Sequence, residues 1–384
     1  MRYDAIVLGL GAMGSAALFH LARRGRRVLG IEQFNIPHDR GSYHGFSRII
    51  RLAYYEHPSY VPLLHRAYEL WRELEQLAGT KLLHITGSVD AGPEGSNVFE
   101  GSRRSCEMYG LPHEVLTSAE LSQRMPGYRL PPETMAVLQP EGGFLLPELC
   151  ISHHVSLAQG AGADVRARER VLGWEPAGDG VLVTTEGGRY EADRLIIASG
   201  AWVGKLVPLL KPHAIPERQV VAWLQPRRPE WFTPERFPVF NVTVEEGRYY
   251  GFPVYGVPGF KVGRYHHLEE KVDPDKIDRE CRPEDARLLQ EFATRYFPDG
   301  SGSIMSLIAC MFTNTADEHF VLDLLPGNPQ VVVASPCSGH GFKFASVVGE
   351  ILADLSDRGS TRHDISIHRM GRLWGRQSFP QPAG

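Results

Sequence analysis

The chain has 384 residues, 42% of them hydrophobic and 22% charged, a balance that excludes a disordered or fibrous protein. Its 41 Lys and Arg against 45 Asp and Glu give a formal charge of −4, so nothing points to nucleic acid or an anionic membrane as a partner. Forty Gly and 28 Pro are too many for a helical bundle and suit a loop-rich α/β protein of two intergrown domains. Five Cys make no disulfide framework, and the odd number leaves at least one thiol free or otherwise used. No apolar run approaches the roughly 20 residues that span a bilayer. Met1-Arg2-Tyr3-Asp4 leads straight into a strand-like run without the parts of a secretory signal, so a cytoplasmic location is the expectation.

In chain order, Ala5 to Leu8 is a short continuous apolar run, as in a buried parallel strand. Gly9-Leu10-Gly11-Ala12-Met13-Gly14 follows, then an amphipathic helix from Ser15 to Arg24 and a second strand, Arg27 to Ile31, ending at Glu32. This is a βαβ unit with a glycine-rich turn. Gly9 makes the tight turn, Gly11 lets backbone approach a pyrophosphate, and Gly14 lets helix and strand pack closely. The N-terminus of that helix offers free N–H groups and a positive dipole end to phosphate. Glu32 stands 23 positions after Gly9, where a carboxylate accepts from ribose hydroxyls and disfavours a 2′-phosphate. NAD or FAD is therefore favoured over NADP.

Residues 60–77 carry apolar positions at helical spacing and read as a core-facing helix. Lys81 to Ala91 is strand-like, and residues 112–133, with four Pro, read as mostly loop with a short helix. Leu146 to Gly160 is helical, residues 166–185 alternate around a hairpin turn at Gly178-Asp179-Gly180, and Asp193 to Ala198 is another buried strand. From about 215 to 310 strand-like pieces alternate with turns, as in an antiparallel sheet, and a polar helix runs from Pro283 to Tyr296. A last strand, Gln330 to Ala334, and a helix from about Ala345 to Asp357 return the chain to α/β character. The expected fold is a Rossmann-like nucleotide domain (1–85, 145–215, 318–384) with an inserted α+β substrate domain (86–144, 216–317) built on a mainly antiparallel sheet. A nucleotide domain interrupted in this way is the arrangement of a flavin enzyme rather than of a simple NAD dehydrogenase.

Four motifs carry a resemblance to a known family. They are the glycine fingerprint; Gly41-Ser42-Tyr43-His44-Gly45 with Arg48-Ile49-Ile50-Arg51 and Ala53-Tyr54-Tyr55-Glu56; Tyr249-Tyr250-Gly251-Phe252-Pro253 with Lys261, Tyr265-His266 and Lys271-Val272-Asp273-Pro274-Asp275; and Cys310-Met311-Phe312-Thr313 with Asp317-Glu318-His319-Phe320 and Ser338-Gly339-His340-Gly341-Phe342-Lys343-Phe344. Together they resemble the monomeric sarcosine oxidase family of FAD-dependent amine oxidases. The resemblance implies FAD bound through Gly9, Gly11, Ala12, Met13, Gly14, Glu32, Ser42, His44, Arg48, Met311, Gly339, Gly341, Phe342 and Lys343, with Cys310 bonded through sulfur to the flavin. It implies that Arg51 and Lys343 hold a substrate carboxylate. Apolar neighbours on both cations favour their burial, and a buried cation needs a partner. The resemblance also places Arg48, Tyr250 and His266 against substrate or flavin, His267 being the competing neighbour, and makes Lys261 the cation that promotes reaction of reduced flavin with oxygen. The segment from Lys261 to His266 is one residue longer than the family pattern, at Arg264.

Two departures fall where the substrate side chain would lie: Asn241 replaces an apolar Met, and Pro336-Cys337 replaces Gly-Phe before Ser338. Phe312 stands where Tyr is common. The resemblance thus implies oxidation of a secondary amino acid, sarcosine or another N-methyl amino acid, with O2 reduced to H2O2 in a monomeric enzyme. Rival readings are a cyclic imino acid (proline, pipecolate) or a sugar-modified amino acid on the same scaffold, an NAD-dependent dehydrogenase, and a non-catalytic flavoprotein. The 16 His show no metal-ligand spacing.

Overall fold

A computed structural model describes residues 2–335 and 338–374, so the Pro336-Cys337 departure lies outside the described residues. The apolar N-terminal run forms the strand Arg2–Leu8, which pairs in parallel with Val28–Ile31 on one side and Arg189–Ile197 on the other. Asp164–Arg166 and Asn328–Ser335 extend this parallel core, and the hairpin of Val171–Ala177 and Gly180–Thr185, with Val321–Leu325 beside Asn328–Ser335, adds antiparallel strands to make an eight-stranded sheet. The helices Ala12–Arg23 and Ala345–Arg358 join one apolar core beside the sheet, with Ala17, Leu18, Leu21, Val348, Ile351 and Leu352 all buried.

A second eight-stranded sheet runs in the order Ile304–Asn314, Ile215–Leu224, Phe260–Arg264, Gly247–Phe252, Val239–Val244, Ser88–Pro93, Thr134–Gln139, Glu114–Thr117. Its neighbours are antiparallel except Val239–Val244 with Ser88–Pro93. One face packs on the helix Pro283–Tyr296, where Tyr249 stacks on Phe292 with ring centroids 3.8 Å apart. Strand alternation turns the other set of residues to the opposite face. Register fixes who stands there: Asp90 lies opposite Asn241, Asn241 opposite Tyr250, Lys261 opposite Trp223, and Gln219 opposite Cys310. A small sheet of Arg48–Ile50, Gly143–Leu145 and Leu83–Ile85 carries Arg48, with Arg51 one residue beyond it.

Several elements differ from expectation. The strand read over Lys81 to Ala91 is broken into Leu83–Ile85 and Ser88–Pro93, because Gly87 adopts φ +77° between them. Residues 112–133 hold a strand, Glu114–Thr117, besides the expected short helix, Ser118–Arg124. That helix is fixed by a reciprocal cap between Thr117 and Glu120. A helix at Asn97–Tyr109 has no counterpart in the sequence reading. Among the described residues no helix is long and apolar enough to cross a membrane.

Candidate active site

The first sheet supplies a cleft at the carboxyl ends of its parallel strands, the usual ligand position in such sheets. Gly9 has φ +87°, and a Cβ there would lie 2.8 Å from the Ala198 carbonyl oxygen. A Cβ on Gly14 would lie 1.8 Å from the Gly9 carbonyl oxygen, so only Gly permits this helix–turn contact. At Gly11 the nearest atoms are those of the Tyr43 ring at 3.6 Å, which leaves the backbone approachable. The cleft is lined by Gly9, Gly11, Ala12, Met13 and Glu32 on one side and by Ser42, Arg48, Gly339, Gly341 and Phe342 on the other. Glu32 is fixed by accepting the N–H of Leu10 at 2.9 Å and of Phe34 at 3.0 Å. His44 Nε2 and Ser199 Oγ are buried without a partner among the described residues. Burial lowers the His44 imidazole to about 3, so it is neutral.

Where the cleft meets the second sheet, Arg48 donates to the carbonyls of Ser47 at 2.8 Å and Ser42 at 2.9 Å, and also to His44. Lys261 is 2% exposed; its Nζ donates to the carbonyls of Gly45 at 2.7 Å and Ser47 at 2.9 Å. Burial, reinforced by Arg48, pushes its pKa well down. Cys310 is buried on the same sheet face. Burial raises its thiol pKa, against the opposing pull of Arg48, Lys261 and Arg279. Met311 stands in register with Arg218, whose guanidinium holds Asp285 on the helix side of the sheet. Its side chain is therefore not turned with Cys310.

Arg51 and Lys343 converge on one ring: Arg51 Cζ lies 4.5 Å and Lys343 Nζ 5.4 Å from the centroid of Tyr54. Both cations are buried. Arg51 grips Glu56 with contacts of 2.9 and 2.8 Å and has Asp90 at 3.8 Å from Nε. Glu56, though buried, is drawn down to about 2, chiefly by Arg51. Lys343 donates to the His340 carbonyl at 2.9 Å. Asn241 is buried and donates to Asp90 at 2.7 Å, and Ser102 donates to the other Asp90 oxygen at 2.8 Å. Gly339, with φ +78°, is pressed against Phe312; a Cβ there would meet that ring at 2.5 Å.

His266 is held elsewhere, paired with Glu217 at 3.0 Å and Glu318 at 2.8 Å, which raises it to about 9. His267 is buried against Asp285 at 2.8 Å. Tyr265 is the residue of this segment whose ring stands against the other site rings, 5.3 Å from Tyr250 and 5.8 Å from Phe312. Asp90 and Arg248 were not singled out from sequence, and Glu56 and Tyr265, though inside the motifs, were given no role there. A charged residue inside the otherwise small and apolar run Ser88-Val89-Asp90-Ala91 was the available signal for Asp90.

Residues 4–355 match the family described as FAD dependent oxidoreductase. The chain belongs to this family. It is 41% identical over 376 residues to a monomeric sarcosine oxidase of Bacillus sp. (strain B-0618), covering 97% of this chain and 96% of the relative. It is 34% identical to an N-methyl-L-tryptophan oxidase of Yersinia pestis (strain Pestoides F), covering 97% of this chain and all of the relative. In three dimensions it matches NikD, an unusual amino acid oxidase essential for nikkomycin biosynthesis, with a TM-score of 0.83 at 27% identity over 96% of this chain and 97% of that one. The likeness first read from four motifs thus runs the length of this FAD dependent oxidoreductase.

The cleft fits the family's cofactor. The glycine turn, the open first turn of the helix Ala12–Arg23, the carboxylate at the end of the second strand and the unpartnered Ser199 hydroxyl are the donor and acceptor set that a dinucleotide needs. That helix has no acidic residue in its first turn and no side-chain cap, so its leading N–H groups remain available.

Proposed function

We propose that this oxidoreductase oxidises a secondary amino acid, sarcosine or another N-methyl amino acid, and acts as a monomer. The observation that carries the reading is the pair of buried cations, Arg51 and Lys343, meeting on the Tyr54 ring beside the cofactor cleft. Arg51 is already paired with Glu56 through Nη2, while its Nε is buried without a hydrogen-bond partner among the described residues, a donor that a substrate carboxylate would use. Each charge-assisted bond to such a group is worth roughly 1.5–3 kcal/mol net.

Gly9, Gly11, Ala12, Met13 and Gly14 would hold the pyrophosphate end of FAD, Glu32 a ribose, and Arg48, Ser42, His44 and Gly339 the part nearest the second sheet. Cys310 is the proposed point of covalent attachment. FAD, when bound, supplies the electron acceptor for the amine and returns the electrons to O2 as H2O2. The protein's own residues do the rest. Arg51 and Lys343 fix the carboxylate, while Tyr250, Tyr265 and Phe312 give aromatic walls around the amine and exclude water. Lys261, buried and tied to the loop at Gly45 and Ser47, places a nitrogen where negative charge develops on oxygen. No dedicated base is evident among the described residues, and an amine bound neutral needs none.

The test combines product and mass analysis. Sarcosine should yield equal amounts of H2O2 and formaldehyde, and the denatured protein should weigh one FAD more than its chain, an increment lost in Cys310→Ala. Absence of peroxide with every N-methyl amino acid would defeat the activity; a bare chain mass from yellow protein would defeat the linkage alone.

A further inference from the structure

Two residues before Tyr250, and so on the same face of its strand, stands a third cation, Arg248. Its guanidinium carbon lies 3.8 Å from the ring centroid of Tyr265 and 5.6 Å from that of Tyr55. The Tyr55 ring is also 4.2 Å from Arg51 Cζ, so Arg248 and Arg51 share one aromatic wall. Arg248 has a single side-chain hydrogen bond among the described residues, to Glu318 at a long 3.4 Å. Glu318 does not depend on it, because its other oxygen is held by His266 at 2.8 Å. The Arg248 side chain is 19% exposed, enough for its donors to meet a ligand and too little for free hydration. A stacked arginine with most of its fork unused is a receptor for a planar anion.

We propose that the preferred substrate is an N-methyl amino acid whose side chain ends in a carboxylate, with Arg248 as the receptor for that second acid. The assignment rests on the amine-oxidase reading above, with Arg51 and Lys343 taking the α-carboxylate. A short side chain then spans from Arg51 across the Tyr55 ring to Arg248. A neutral side chain of equal length leaves Arg248 without its bidentate partner.

The holoenzyme should be compared on N-methyl-L-glutamate, its isosteric amide N-methyl-L-glutamine, and sarcosine. The expected ratio of kcat/KM, acid over amide, is about ten-fold or more, the worth of a charge-assisted pair. In Arg248→Gln the ratio should fall to about unity, and Arg248→Lys should keep part of it. A native enzyme that prefers the amide, or a ratio that survives Arg248→Gln, overturns the proposal. If the variants fail to fold, calorimetry on the native holoenzyme decides: glutarate should bind about ten-fold tighter than its monoamide, and equal binding overturns the assignment. Failure of the underlying reading is distinguishable, since then none of the three amines is oxidised, whereas failure of this inference alone leaves all three oxidised without preference for the acid.

Discussion

Lys343→Met isolates one half of the proposed carboxylate clamp. Methionine keeps most of the buried stem while removing the ammonium, so the change deletes charge more than volume. In the free protein the Lys343 Nζ bond to the His340 carbonyl, at 2.9 Å, is lost, at a cost of about 1 kcal/mol. In a chain of this size that moves Tm by only about 2 °C. With substrate bound, the lost interaction is a charge-assisted hydrogen bond worth roughly 1.5–3 kcal/mol. At about 1.4 kcal/mol per decade, kcat/KM for sarcosine should fall about ten- to hundred-fold. Sarcosinamide, which has no carboxylate, supplies the control: its weaker turnover should hardly change, so the ratio of acid to amide collapses. The assay is peroxide release by the holoenzyme at matched flavin content. Equal losses on both compounds, or a loss on sarcosine smaller than three-fold, would refute the clamp.

Lys261→Met should slow reoxidation of the reduced cofactor by O2, followed by stopped flow, at least about ten-fold more than it slows anaerobic reduction; equal slowing would argue for a merely structural lysine. Gly14→Ala places a Cβ at 1.8 Å from the Gly9 carbonyl oxygen, so the variant should emerge without FAD or insoluble; a normal yellow protein would contradict the packing. His266 is raised to about 9 by Glu217 and Glu318, so its contribution to stability is complete below the unfolded value near 6.5 and is lost as pH rises through about 9. After discounting for solvent around a side chain 36% exposed, about 1 kcal/mol is expected. Urea midpoints of native protein and His266→Gln should differ most near pH 6 and converge above about pH 9; a gap independent of pH would dismiss the pairing.

The nucleotide half was legible because its signals are local. An apolar strand, three glycines at fixed offsets and a carboxylate after the next strand each answer to one physical need, and Gly9, Gly14 and Glu32 stand accordingly. The clamp was not readable this way. Arg51 and Lys343 are nearly 300 residues apart, and only the family resemblance joined them before the structure set both on Tyr54. The partner charges were hidden for a similar reason: Glu56 is five residues from Arg51 in an irregular segment, and Asp90 approaches Arg51 from a strand of a different sheet. Tyr265 and His266 show the other limit. One residue of register decides which side chain faces the site, and the extra residue at Arg264 made that parity unreadable. The helix Asn97–Tyr109 went unread because half of its face is exposed and its apolar stripe is short.

In the proposed reaction a secondary amino acid gives its electrons to the flavin. Anaerobic addition of sarcosine and of N-methyl amino acids to the purified yellow protein, watching the flavin absorbance, tests it most directly. At least one of them should bleach the flavin, and the colour should return, with peroxide, when air is admitted. A flavin that stays oxidised with every N-methyl amino acid, in protein of full FAD content, would contradict it.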